Sequence, residues 1–430
     1  MRRDGIGMNI ASLHPFLDSL GLPPVDALAA MRQHGRANFA ESGFPTRRHE
    51  AWKFTELRPL IEARFQHFEA DAAASVEAAG DADRLVFANG RFDAAQSRIG
   101  ALPDGVLLLS FADWARREPQ AAAAAFDLRG GAERAFLSLN AAFVGDGAVL
   151  IVPDGVALPR PVRIIHRSRA EAPASSHVKT VLRLGAGASA KVIESFDGSG
   201  IYWSNVSASV ELGAGARLGH YTLQNEAVDA FHTAHLAVTI GAAAQYDGFL
   251  LTLGARLARQ DVQASLAGAD AVCGYSGAYL LRGRQEAAVN SVIRHAAPGG
   301  RTRETFKGCV ADRAHGVFQG KILVEPDAQK TDAHQLNKTM LLGDRAVMDS
   351  KPELEIYADD VKCSHGATVG DLDETALFYL RSRGIEPEPA RRMLIEAFVL
   401  DAVDLVEDEA ARDFLQAAIA RRLEISEDGR

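Results

Sequence analysis

The sequence predicts a mainly β chain, with a right-handed parallel β-helix core, an N-terminal mixed α/β region and a C-terminal helical bundle. Three observations point there. A Gly-Ala corner motif recurs at a fixed interval, residues 146–370 carry almost no helical period, and after Asp371 the pattern turns abruptly to helix. At 430 residues the chain also exceeds one ordinary compact core, so it needs several regions or a repeat that grows by stacking.

The first region, 1–145, is mixed. Asp26 to Glu41 sets Leu28, Ala29 and Met31 among charges at helical spacing, and Ser42-Gly43-Phe44-Pro45 stops that helix. Arg84-Leu-Val-Phe-Ala-Asn-Gly-Arg-Phe reads as a strand that turns at Asn89-Gly90. Phe111 to Phe126 reads as an Ala-rich helix.

The second region, 146–370, opens with Ala148-Val-Leu-Ile-Val-Pro-Asp-Gly, a short apolar strand and a turn. Leu184-Gly-Ala-Gly-Ala then recurs as Leu212-Gly-Ala-Gly-Ala and Ile240-Gly-Ala-Ala-Ala, placing glycines at 185, 213 and 241. A constant interval of 28 residues, with short strands between small-residue corners, is what stacked β-coils produce. Glycine supplies positive φ at such a corner and alanine fills its narrow inside. A β-sandwich with Gly-Ala-rich hairpin turns stays open as the alternative.

The third region, 371–430, is helical. Asp371 and Glu374 have capping-box spacing, Leu377, Phe378 and Leu380 line one side, and Arg383-Gly384 ends the element. Glu386-Pro387-Glu388-Pro389 starts a second helix with Leu394, Phe398 and Val399; a third carries Phe414, Leu415, Ile419 and Leu423. Sixty residues make too small a core to stand alone, so these helices dock elsewhere and suit partner binding.

Composition excludes several function classes. The net charge of -9, from 47 basic and 56 acidic residues, argues against nucleic acid as main partner, because a phosphate backbone demands a clustered basic footprint. No apolar run reaches the length needed to span a bilayer. Met1-Arg2-Arg3-Asp4 is followed by no apolar stretch of signal-peptide type, Met8 is an alternative start, and the cytoplasm is the expected compartment. Three scattered cysteines, Cys273, Cys309 and Cys363, make no disulfide framework and fall short of the Cys₄ set that usually holds an iron–sulfur cluster.

Most enzyme signatures fail. Gly316-Val-Phe-Gln-Gly320-Lys321-Ile322 is one residue short of a phosphate loop and lacks its Ser/Thr, and there is no HExxH or GxSxG. His232-Thr-Ala-His235 has no acidic neighbour at helical spacing, and the acceptor patterns at Asn205 and Asn337 are formal only. A β-helix enzyme acting on a polysaccharide or acyl donor would need clustered carboxylates on one strand ladder. The chemistry-bearing segment is instead Lys351-Pro-Glu-Leu-Glu-Ile-Tyr-Ala-Asp-Asp-Val-Lys-Cys-Ser-His-Gly-Ala-Thr-Val-Gly370, two strands around an Asp359-Asp360 corner. Strand alternation puts Val361, Cys363, His365, Ala367 and Val369 on one mostly apolar face and Lys362, Ser364 and Thr368 on the other. Thiolate and imidazole are competent ligands for iron or zinc, so Cys363 and His365 are the candidate metal residues. A cysteine among Val and Ala equally reads as a small core hydrophobe, and that reading covers Cys273 and Cys309. Glu353 and Glu355 read as a solvated strand face.

These residues also carry a resemblance. Phe318-Gln-Gly-Lys-Ile-Leu-Val-Glu-Pro-Asp-Ala-Gln-Lys-Thr-Asp-Ala-His-Gln-Leu-Asn, the segment from Lys351 to Gly370, Ala376-Leu-Phe-Tyr-Leu-Arg-Ser-Arg-Gly-Ile and Pro45-Thr-Arg-Arg-His-Glu-Ala-Trp-Lys-Phe-Thr55 together resemble the SufB/SufD family of iron–sulfur cluster assembly proteins. Ser364-His365-Gly366 stands where SufB-like chains carry Glu-His-Glu, so the chain is similar to the SufD branch. The resemblance implies a non-enzymatic scaffold without tightly bound cofactor or membrane contact. Its β-helix would pair with SufB, its C-terminal helices would engage the ATPase SufC, and the isolated chain could form a homodimer. It further implies that His365 contributes to a transient iron–sulfur cluster shared with SufB. A purely structural partner without metal ligation is the competing reading.

Overall fold

Residues 26–68, 83–129 and 131–428 are described by the computed structural model; the expectations about Met1 to Asp4 and Met8 lie outside them. From Ala148 onward successive strands alternate between two ten-stranded sheets, so each coil contributes one strand to either sheet. Every pairing between coils is parallel, from Val149↔Val181 near the start to Asp332↔Lys362 at the end. That rules out a sandwich of hairpins, which pairs its strands antiparallel. The fold is a β-solenoid with a mixed α/β N-terminal layer and C-terminal helices.

The 28-residue interval appears in the register as Ser175, Trp203 and Phe231, stacked as partners. It lengthens towards the end, where His315 pairs with Val347. The corner glycines do two separate jobs. Gly187 and Gly215 hold the positive φ, 66° and 67°, and Ala243 takes the same conformation at 53°. Gly185, Gly213 and Gly241 are instead needed for close approach: a Cβ on Gly213 would lie 2.8 Å from the backbone nitrogen of Ala186. Positive φ therefore belongs two residues beyond the glycines that mark the interval. Ala188, Ala216 and Ala244 fill the inside of the corner and are fully buried.

The N-terminal elements follow from local signals. Gly43, at φ 64°, ends the helix Ala29–Ser42. Asn89 and Gly90, at φ 52° and 75°, turn the strand Asp83–Ala88 back into Arg91–Phe92. Pro119 splits the expected Phe111–Phe126 helix into Phe111–Arg117 and Pro119–Ala124, since proline cannot continue a helical ladder. Asp83–Ala88 and Leu107–Ser110 extend the two sheets beyond the first coil. The outer face of the first sheet is covered here, with Trp203, Phe231 and Leu257 packing on Trp52, Phe65 and Phe136.

The outer face of the second sheet is covered from the other end of the chain. Helices Pro387–Val403 and Glu409–Asp428 lay Ile395, Val399 and Leu415 onto Phe249, Ala278, Leu280 and Cys309. The preceding helix, Glu374–Ser382, is capped by Asp373, whose carboxylate accepts from Thr375 and Ala376 at 2.9 and 3.1 Å. Asp371 does not cap it, because that residue still belongs to the last strand. Among the described residues no helix is long and apolar enough to cross a membrane.

The solenoid ends on an open coil. Strands Val347–Ile356 and Lys362–Asp371 each pair with one neighbour only, so each sheet stops at a free edge. Val347 and Tyr357 donate inward, to Ala314 and Val324. Strand alternation then points the even-numbered positions outward, including Pro352, which has no N–H to offer.

Candidate functional site

Cys363 and His365 lie on the last strand, Lys362–Asp371, with their side chains on the lumen face of the open coil. The register stacks Cys363 over Ala333 and His365 over Gln335, both buried. Lys362 donates to Thr331 of the preceding coil, so by alternation the backbone groups of Cys363, His365, Ala367 and Val369 face the free edge. The two donor side chains stand two positions apart, about 7 Å along the strand.

Their surroundings differ. Cys363 is half-buried and packs with Leu354 and Val361 on a small apolar cluster around Ile322 and Ala333. Burial pushes its thiol up, and Asp332 adds to the shift against a hydrogen bond with the Ala333 backbone. A metal would therefore have to displace its proton. His365 is exposed at the lumen mouth. Beneath it the neighbouring strand turns polar side chains to the lumen: Gln335, Asn337 and Thr339 are all buried. Gln335 reaches across the lumen over Gly320, where a Cβ would lie 2.1 Å from its Nε2. That nitrogen donates to Glu304 Oε2 at 2.6 Å. Glu304 is fully buried, and burial raises its carboxyl to about 7 against hydrogen bonds from Ser291 and Gln335. Gln335 Oε1 has no hydrogen-bond partner. Alternation alone hides this column, because Glu304, Gln335 and His365 become neighbours only once the coil lengths are known.

On the opposite face, Ser364 meets a second histidine, His334 of the preceding coil's strand, that the sequence reading passed over. Ser364 bonds His334 Nδ1 at 2.5 Å, and His334 Nε2 pairs with Asp332 at 2.9 Å. Arg303 pairs with Asp332 in turn and, despite partial burial, holds its carboxyl below the usual range. The signal was available as the Asp332-x-His334 spacing on one strand face. Glu353 and Glu355 are not merely solvated, since they pair with Lys351 and Lys321 at 3.1 and 2.7 Å. Lys351 also reaches Glu50 at 2.5 Å, tying the N-terminal layer to the last coil. Cys273 and Cys309 are fully buried away from the lumen mouth, and burial raises both thiols.

Deeper in the lumen, Glu194 sits between His166 and His220, at 3.0 and 3.2 Å. Burial raises its carboxyl, but the two imidazole hydrogen bonds outweigh that and hold it well below its usual range. All three are buried, and the histidines grip opposite oxygens, so the group is a closed structural tie. Among the described residues no three His, Cys, Asp or Glu side chains converge on a common metal position.

Comparison with known proteins covers nearly the whole chain. Residues 166–398 match the SUF system FeS cluster assembly, SufBD core domain, and residues 19–164 match the SufBD protein N-terminal region. The chain is 31% identical to the iron–sulfur cluster assembly protein SufD of Escherichia coli, over 89% of this chain and 90% of the relative. It is 30% identical to an iron–sulfur cluster assembly SufBD family protein of Synechocystis, over 89% and 88%. The chloroplastic protein ABCI7 of Arabidopsis thaliana is 32% identical over 65% of this chain and 61% of its own. With the solenoid, its two flanking layers and both domain matches in place, the chain belongs to the SufBD family of the SUF iron–sulfur cluster assembly system.

Proposed function

We infer that this chain is a SufD-type scaffold subunit. It works in the cytoplasm with SufB and the ATPase SufC and carries no catalytic residue of its own. The observation that carries the reading is the free edge of Lys362–Asp371, which presents the backbone of Cys363 and His365 beside their two donor side chains. A strand edge of this kind accepts a strand from another chain. A cluster assembled there would take further ligands from that chain, because one thiol and one imidazole fall short of a full set. Iron and sulfide are the cargo of such a site. The helix Glu374–Ser382 supports the SufC half of the reading: Phe378 and Tyr379 are 71% and 55% exposed, on an element held against the solenoid mainly through its neighbours.

Ala367→Pro tests the pairing. It removes one outward N–H from the free edge and none from the ladder to the preceding coil. The variant should keep its circular dichroism spectrum and lose co-purification with SufB. Undiminished SufB recovery would place the partner elsewhere. The half-buried packing of Cys363 favours a narrower version, in which His365 is the ligand and the thiol mainly fills space.

A further inference from the structure

A cavity lies between the outer face of the second sheet and the C-terminal helices. It holds about 510 Å³, within the range of small-molecule sites. Its floor is apolar, made by Leu280, Leu342 and Ile395, with the Cys309 thiol among them. Its rim carries four arginines, Arg282, Arg391, Arg392 and Arg422, against a single carboxylate, Glu388.

That charge balance is costly. Among the described residues no ion pair is recorded for Arg282, Arg391 or Arg422; Arg391 donates to the Leu342 carbonyl at 3.3 Å and Arg422 to Gln285 at 2.8 Å. These arginines are half-buried, and neutral acceptors only partly offset positive charge drawn out of water. Burial, and next the charge of Arg282, pull the Arg422 guanidinium down to about 10. Guanidinium groups gathered over an apolar floor recognise anions through paired N–H donors.

We propose that this cavity binds a small anionic amphiphile, a phosphate or carboxylate group carried on an apolar body. The anion sits among Arg282, Arg391 and Arg422, and the apolar part lies on Leu280 and Ile395. The site joins the helices to the solenoid, so an occupant bridges the two and holds them together.

Two fluorescent probes of similar shape test this on the full chain: anilinonaphthalene sulfonate, which is anionic, and phenylnaphthylamine, which is neutral. The anionic probe should saturate one site and bind about tenfold more weakly to Arg422→Gln. Arg391→Gln, which gives up only one long hydrogen bond, should show the same loss with an unchanged melting temperature. The neutral probe should bind all three proteins alike. Displacement of the anionic probe by dodecanoate identifies a carboxylate on an alkyl chain; displacement by adenosine diphosphate identifies a phosphate on an aromatic base. Equal binding of the anionic probe to all three proteins would overturn the proposal. So would equal losses for both probes, or failure of both competitors to displace the anion.

Discussion

The guanidinium carbon of Arg259 lies 3.5 Å from the centre of the Trp52 ring, joining residues of the N-terminal layer and the solenoid. Arg259 is buried, donates to Thr55 and to the Ala51 carbonyl, and pairs with Asp261 at 2.6 Å. This contact explains why the Pro45 to Thr55 segment has the residues it has: Trp52 supplies the ring and Thr55 the acceptor. Arg259→Met should cost about 3 kcal/mol in chemical denaturation, through the cation–π contact and the stranded Asp261. Arg259→Lys should recover less than half, since an ammonium cannot make the fork of bonds.

The corners predict opposite outcomes for two small substitutions. Ala243→Gly should stabilise by about 1 kcal/mol, because alanine there holds a positive φ that glycine adopts freely. Gly213→Ala should destabilise by more than about 2 kcal/mol, since its Cβ meets the backbone of the previous coil. Thermal unfolding of both variants against the parent checks the pair.

Glu304 predicts a pH dependence. Its folded carboxyl titrates near 7 rather than at the ordinary 4.5, so the fold holds the proton more tightly than the open chain does. Its contribution is complete below about pH 4.5 and is lost as the pH rises through 7. Glu304→Gln should therefore match the parent near pH 4 and exceed it by roughly 2–4 kcal/mol at pH 8. Parallel stability curves for the two proteins would show that the carboxyl ionises freely.

His365 is exposed on an edge strand, so His365→Ala should change stability by less than about 0.5 kcal/mol. On the proposed reading it should nevertheless abolish cluster assembly in the reconstituted complex. Cys363→Ser should do less damage to assembly and more to stability, because the thiol packs on Leu354. Activity, complex yield and melting temperature measured on the same preparations separate ligand from spacer.

Removing the C-terminal helices outright is a poor test of SufC docking. It would uncover Phe249, Ala278 and Leu280, and the shortened chain should aggregate. Phe378→Ser combined with Tyr379→Ser leaves that packing intact and should lose SufC in a pull-down. Retention of SufC by this double variant would move the docking surface to another helix.

The solenoid was legible because its corners repeat in sequence, and the interval read from three glycines is the interval of the stacked strands. The helix caps were less so: Asp371 and Asp373 are both acceptable by composition, and only the end of the last strand decides between them. Cys363 and His365 could be placed on one face by alternation, which is a local rule. Their neighbours could not. Gln335, Glu304 and His334 meet the site through coils of unequal length, and the arginine-rimmed cavity joins Leu280 and Arg282 of the solenoid to helices more than a hundred positions later. Proximity of that kind is set by tertiary packing.

Pro352 gives the open end a polarity that matters for growth. A solenoid with two bare terminal edges is a template for an unlimited fibre, each copy adding a coil to the last. Here the edge of the first sheet is broken at its middle by a residue with no N–H, while the edge of the second sheet is continuous across Cys363 to Val369. Addition is thus steered to one strand, which a single incoming edge satisfies. On the proposed reading, the same end that invites a neighbour also limits it to one, which favours a closed pair over a filament.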